Sequence, residues 1–272
     1  MPIIKTADDV QLYVKDWGTG RPFVLIHGWP LNADMWDTVA HELVEKGFRV
    51  VAYDRRGFGR SSQPGAGYDY DTMADDLAAV IDGLSLSDVT LVGFSMGGGE
   101  VARYMSRHGG KGVSRTALVS AVTPYLLKDD SNPDGVDGST FDGFIAELKK
   151  DRPAFLETFG KQFYGVGMLD WSVSSAYLEW TKEMALQASL RATIGCVDAF
   201  GRTDFRADMA AFKVPTLVIH GTSDATVPFE ISGKRAAGAI AGAELKAYDG
   251  APHGLHYTEQ DRLVTDLANF AR

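Results

Sequence analysis

The chain has 272 residues, a length that fits one large α/β domain or two small ones and is ample for a sizeable core, with 45% apolar and 23% charged residues, ordinary for a globular protein. With 27 Lys and Arg against 36 Asp and Glu, the formal net charge is −9, which leaves no electrostatic footprint for nucleic acid or an anionic membrane surface. One cysteine, Cys196, rules out an intrachain disulfide framework and makes a cytoplasmic, reducing home the expectation. The opening residues turn acidic at Asp8-Asp9 before a signal-peptide core develops, and no apolar run of about 18 residues predicts a membrane span.

Taken in chain order, residues 3–17 read as an antiparallel hairpin at a sheet edge. Pro22-Phe23-Val24-Leu25-Ile26-His27-Gly28 is a continuous apolar run, the mark of a parallel strand covered on both faces. A helix follows, with Asn32 or Asp34 as N-cap and Gly47 past its end. Trp36, Val39, Ala40, Leu43 and Val44 make its core-facing stripe. The pattern repeats with a strand at 49–54, a helix bearing Met73, Leu77, Val80, Ile81 and Leu84, and strands at 89–94 and 116–122. Residues 125–206 then carry no strand-like run. They are helical in tone and rich in aromatics, among them Phe141, Phe144, Phe155, Phe159, Phe163, Trp171 and Phe200. The strand rhythm resumes at 214–221, followed by a helix near 228–241, a strand at 244–249 and a helix near 257–271. This alternation predicts an α/β fold with a doubly wound, mostly parallel sheet. The predicted division is a core of residues 1–124 and 207–272 with a helical cap, 125–206, over the carboxyl ends of the strands.

Gly93-Phe94-Ser95-Met96-Gly97 lies between a strand and a helix. A serine on that sharp turn projects its hydroxyl from the sheet, and glycine suits the crowded positions two before and two after it. A serine hydroxyl needs a base, and the base needs an orienting acid. His41 and His108 sit on or just after amphipathic helices and read as solvent-facing; His27 and His220 end strands and read as loop braces. His253, in Gly250-Ala251-Pro252-His253-Gly254, follows the final strand and is preferred over His256 as base. Asp224, in Gly221-Thr222-Ser223-Asp224, is the preferred acid, with Asp249 as runner-up. An oxyanion needs two preorganised N–H donors, predicted as the amides of Met96 and Trp29, the Trp29 ring also walling an acyl pocket. No metal-ligand cluster or dinucleotide fingerprint supports a cofactor.

These residues resemble the α/β-hydrolase superfamily over nearly the whole chain, and more closely the bacterial arylesterases and cofactor-free haloperoxidases, or perhydrolases. The resemblance is carried by His27-Gly28-Trp29-Pro30, by Tyr53-Asp54-Arg55-Arg56-Gly57-Phe58-Gly59-Arg60-Ser61, by Gly93-Phe94-Ser95-Met96-Gly97-Gly98-Gly99-Glu100, by Pro215-Thr216-Leu217-Val218-Ile219-His220-Gly221 and by Ala251-Pro252-His253-Gly254. It implies an α/β-hydrolase fold, Ser95 as nucleophile, Asp224 as acid, His253 as base, Trp29 and Met96 as oxyanion donors, no metal, no haem, and a cytoplasmic homo-oligomer. It also implies hydrolysis of small esters with water, and peracid formation when hydrogen peroxide takes the place of water. Proline after the oxyanion tryptophan is common in perhydrolases, where the fixed φ of Pro30 aims the Trp29 carbonyl at the peroxide; the alternative is a proline that only stiffens a turn. The substrate wall is placed at Trp29, Pro30, Phe144, Phe159, Phe163 and Val227. A lactonase or γ-lactamase with the same triad, and a ligand receptor that keeps the triad without turnover, stand as alternatives.

Overall fold

The computed structural model describes residues 2–167 and 173–272, so Trp171 lies outside the described residues. Among these, the sheet has eight strands: β1 (Ile3–Lys5), β2 (Gln11–Trp17), β3 (Pro22–Ile26), β4 (Arg49–Tyr53), β5 (Val89–Phe94), β6 (Val113–Val119), β7 (Thr216–Gly221) and β8 (Glu244–Tyr248), in the spatial order β1-β2-β4-β3-β5-β6-β7-β8. β1 and β2 form the expected antiparallel hairpin, and every pairing from β4 through β3, β5, β6, β7 to β8 is parallel. The interior strands β3, β5 and β7 are buried at every residue, as their unbroken apolar runs require, whereas edge strand β8 is mostly exposed.

Helices α1 (Asp37–Glu45), α2 (Tyr70–Gly83) and α3 (Met96–Arg107) alternate with the strands of the first half. Asn32 caps a 3₁₀ turn, Ala33–Trp36, that leads into α1; its side chain accepts from the Asp34 N–H. Strand β6 begins and ends earlier than 116–122, because Ser120 takes φ 45° and turns the chain out of the sheet. Between β6 and β7 the chain forms α4 (Gly138–Phe163), α5 (Ser175–Leu186) and α6 (Leu190–Arg202). Helix α4 breaks at Asp151 (φ −155°, ψ 83°), two residues before Pro153. After β7 come a 3₁₀ turn at Phe229–Ile231 and α7 (Gly233–Ala239), then β8, α8 (Leu255–Thr258) and α9 (Gln260–Phe270). The single helices read near 228–241 and 257–271 are thus each interrupted. In the first, Ser232 takes φ −121°, ψ −94°; in the second, Glu259 takes φ −122°, ψ 30°. Among the described residues, no helix is long and apolar enough to cross a membrane.

Candidate active site

Parallel strands present their carboxyl ends at one edge of the sheet, so segments that follow different strands meet there. Ser95 follows β5, Asp224 follows β7, His253 follows β8, and Trp29 follows β3. Ser95 takes φ 54° and ψ −120°, a conformation an L-residue adopts only when its surroundings enforce it. The close packing is local: a Cβ on Gly93 would lie 2.4 Å from the Gly97 carbonyl oxygen, and one on Gly97 2.7 Å from that of Ile26. The elbow therefore admits no side chain at either place.

His253 Nε2 lies 2.9 Å from Ser95 Oγ, and His253 Nδ1 lies 2.7 Å from Asp224 Oδ2. A carboxylate only accepts, so the ring proton sits on Nδ1. That leaves Nε2 as an acceptor for the serine hydroxyl. All three residues are buried. Burial pushes the Asp224 carboxyl up, but the His253 imidazole, His220 and their hydrogen bonds outweigh it and hold Asp224 below the usual carboxylate range. Asp224 Oδ1 also accepts the amide N–H groups of Thr226 (2.9 Å) and Val227 (2.7 Å). This chain of donors leaves Asp224 ionised and His253 held in the tautomer that can take a proton from Ser95.

The structure brings His253, not His256, to the serine. His256 is buried on α8 against Trp36, Phe94, Phe163 and Tyr164, and its two ring nitrogens have no partner among the described residues. Burial, with His253 nearby, pushes its pKa down to about 3. Asp249 is exposed and accepts from Thr222 Oγ1 at 3.2 Å, away from the imidazole. His220 braces the loop after β7, as its strand-end position predicts: Nε2 donates to the Val227 carbonyl at 2.8 Å and also lies 3.2 Å from Asp224 Oδ2. His41 is exposed, and His108 bonds Asp75 at the surface.

Gly28 lies against the elbow, where a Cβ would come within 3.0 Å of Ser95 Cβ. The Trp29 amide is the next one along the chain from this contact. Met96 begins α3, so its N–H has no intrahelical acceptor. Neither amide donates to a backbone or side-chain acceptor among the described residues. The Trp29 indole N–H donates to the Thr193 carbonyl at 3.0 Å, and the ring packs on Phe159 and Phe200. A cavity of about 40 Å³ opens on Ser95, lined by Trp29, Phe144, Phe159 and Val227 together with Val122, Leu126, Val136, Thr140, Phe141, Phe200 and Thr226. Two expected wall residues are elsewhere. Phe163 packs edge-on against the His253 ring, with centroids 4.7 Å apart, and Pro30, joined to Trp29 by a cis peptide, lines a smaller neighbouring cavity with Phe163 behind Phe159. Phe141 and Phe200 stood out in the sequence as cap aromatics. Val122 reads in the sequence as the last residue of a strand, and Leu126 carries no signal there. Among the described residues, no group of three or more His, Cys, Asp or Glu side chains is placed to hold a metal.

Comparison with known proteins agrees with this arrangement. The family described as alpha/beta hydrolase fold matches residues 21–260. A non-heme chloroperoxidase of Kitasatospora aureofaciens is 43% identical over 272 residues, covering 99% of each chain. A bifunctional esterase/perhydrolase of Acinetobacter calcoaceticus is 40% identical over the full length of both. The crystal structure of a bromoperoxidase from Bacillus anthracis superposes with a TM-score of 0.96 at 45% identity, covering 99% of this chain and 98% of that one. On sequence and on structure alike, the chain belongs to the α/β-hydrolase fold family, among its bacterial non-heme haloperoxidases and esterases.

Proposed function

We propose that the protein is a serine esterase of small carboxylic esters that also makes peracids from hydrogen peroxide. The observation that carries this reading is the hydrogen-bonded run from Asp224 through His253 to Ser95, opening on an apolar cavity beside two free amide N–H groups. Ser95 Oγ attacks the acyl carbon while His253 Nε2 takes its proton. The negative oxygen that forms is held by the Trp29 and Met96 amides. His253 returns the proton to the leaving alcohol as the ester C–O bond breaks, leaving an acyl group on Ser95. Water then attacks the acyl carbon while His253 takes its proton; as the bond to Ser95 breaks, His253 passes that proton to Ser95 Oγ and a carboxylic acid leaves. When hydrogen peroxide attacks instead, the product is a peracid, which oxidises halide to hypohalite in solution and itself becomes the carboxylate.

The size of the cavity supports a short acyl group. A space of about 40 Å³ exceeds the roughly 10–15 Å³ that one water requires, enough to receive a small acyl group. In this reading residues 125–206 act as the cap over the site, since α4 and α6 supply Thr140, Phe141, Phe144, Phe159 and Phe200 to its wall. Pro30 aims the Trp29 carbonyl at the peroxide. The same reading takes a small ester with water or peroxide as partners and a homo-oligomer in the cytoplasm as the working form.

The test is turnover of p-nitrophenyl acetate with and without peroxide, in the native protein and in Ser95→Ala. Steady turnover, a peroxide-dependent peracid, and a loss of several orders of magnitude in the variant are expected. One slow burst without turnover would identify a receptor, and full activity in Ser95→Ala would remove the nucleophile from the account.

A further inference from the structure

Beneath the site lies a charged pair that the proposed reaction does not use. Arg55 follows β4 and Glu100 lies one turn into α3; their side chains are 1% and 0% exposed, and the Arg55 Nε–H donates to Glu100 Oε1. The other carboxylate oxygen accepts from the Tyr53 hydroxyl at 2.7 Å. Of the remaining Arg55 groups, the carbonyl accepts from the Phe58 N–H at 3.0 Å and the others meet His27, with Nη1 lying 3.3 Å from His27 Nδ1. Arg55 Nη2 donates to the His27 carbonyl at 2.7 Å, and the Arg55 backbone N–H donates to His27 Nε2 at 3.0 Å. We propose that this buried pair positions the oxyanion site, holding the Gly28–Trp29 peptide through His27 and tying it through Glu100 to the helix that begins at Met96. The inference rests on the reading of Trp29 and Met96 as oxyanion donors.

The geometry runs atom by atom. Because Nε2 of His27 accepts, the proton of the neutral ring is on Nδ1, which lies 3.0 Å from the Gly28 carbonyl oxygen. Burial and the Arg55 charge keep that ring neutral by holding its pKa well below the usual value. The Leu31 N–H donates to the same carbonyl at 3.1 Å. Gly28 C=O and Trp29 N–H belong to one planar trans peptide, so they point in opposite directions. Two donors on the carbonyl therefore fix where the Trp29 N–H aims. The bond to His27 Nε2 comes from the Arg55 backbone and persists whatever side chain stands at 55; the side chain acts through Nη2 on the His27 carbonyl, which holds the end of β3 that leads into Gly28.

Stability alone is a weak reason for such a pair. Desolvating two charges costs as much as their attraction returns, and well-packed apolar residues often serve the fold equally well. The planar fork of Arg55, by contrast, reaches the carboxylate on α3 and the carbonyl at the end of β3 at once, which no apolar side chain does.

The experiment compares the native protein, Ser95→Ala, Arg55→Lys, and a double variant, Arg55→Met with Glu100→Leu. The readouts are kcat and KM on p-nitrophenyl acetate, inhibition by phenylboronic acid, and the thermal midpoint. The boronate is chosen because its tetrahedral adduct on Ser95 puts an oxygen at the oxyanion position. The double variant is expected to fold, to keep KM within about threefold, and to lose about 10²-fold in kcat, as when an oxyanion donor is removed. Boronate inhibition should weaken in step. Arg55→Lys keeps the charge without the fork; it should lose about tenfold in kcat at a near-native midpoint, and it carries the test alone if the double variant does not fold. Native kcat and boronate affinity in a folded double variant, or in Arg55→Lys, overturn the inference while leaving the proposed function standing. Native turnover in Ser95→Ala would instead overturn the function on which it rests.

Discussion

At Asp224 each oxygen has its own task. Oδ1 takes two backbone N–H groups that lock the turn, and Oδ2 takes the His253 Nδ1–H. An asparagine keeps the first set but can present an N–H to Nδ1. The imidazole must then carry its proton on Nε2, where it cannot accept from Ser95. Asp224→Asn is accordingly expected to lower kcat by about 10⁴, the loss seen for the same change in a serine protease, with little change in melting temperature. A loss under about tenfold would point to another orienting acid. The Ser95 torsions follow the same logic: the strained turn is held by Ser95 N–H donation to the Val119 carbonyl (2.9 Å), and its own carbonyl accepts from Gly98 (3.0 Å) and Val122 (3.2 Å). The elbow was legible because glycine, serine and glycine occupy positions that the turn itself restricts. The loop-bracing part of His220 was legible as well; its approach to Asp224 was not, because a strand-end histidine bracing any loop looks the same in sequence.

Among the elements, the broken helix α4 decides the shape of the pocket. Asp151 leaves helical geometry and its Oδ1 accepts the Ala154 N–H at 3.1 Å, so it starts a second helical stretch containing Pro153 near its first turn. The bend lets Phe141 and Phe144 from the first stretch and Phe159 from the second face one cavity. Phe144 meets Phe155 and Phe159 with ring centroids 5.4 and 5.9 Å apart. Truncating it should lengthen the space beside Ser95. In Phe144→Ala the ratio of kcat/KM for p-nitrophenyl butyrate over acetate is expected to rise about tenfold, since each methylene in a fitting pocket is worth about 1–3 kcal/mol. An unchanged ratio would place the acyl chain against another wall. The sequence marked this stretch as helical and aromatic and placed Phe144 and Phe159 on the wall, but it placed Phe163 there too and left out Phe141. A phenylalanine at helical spacing looks the same whether it faces the core, the cap interior or the substrate.

For the molecule as a whole, buried histidines set how stability responds to acid. His256 has a pKa near 3 when folded against 6.5 in its unperturbed form. Between those values the unfolded chain binds a proton that the folded chain refuses, so stability falls as pH drops from about 6.5 towards 3. At pH 5.5 this one group costs about 1.4 kcal/mol, and His27, also held well below its usual value, acts in the same direction. Replacing His256 with phenylalanine removes a titrating group whose ring nitrogens bond nothing among the described residues. The drop in melting temperature between about pH 7.5 and 5.5 should therefore shrink by a few degrees in His256→Phe, measured by calorimetry. An equal drop in both proteins would show that His256 is protonated in the folded state.

Apolar runs and glycine placement by themselves determined the mostly parallel sheet and the elbow at Ser95, though not the spatial order of the strands. Those features follow from backbone torsion and burial, which short segments encode. They also placed the acid and base after late strands, where the chain must pass the sheet's carboxyl edge. Only the tertiary structure decided that the preferred His253, and not His256, meets the serine hydroxyl, that Phe141 and Phe200 face it while Phe163 does not, and that Arg55 and Glu100 share a buried bond. The physical reason is that a side chain's partner depends on packing between distant segments. His253 and His256 differ by less than one helical turn in sequence, yet one lies against the serine hydroxyl and the other inside an aromatic cage.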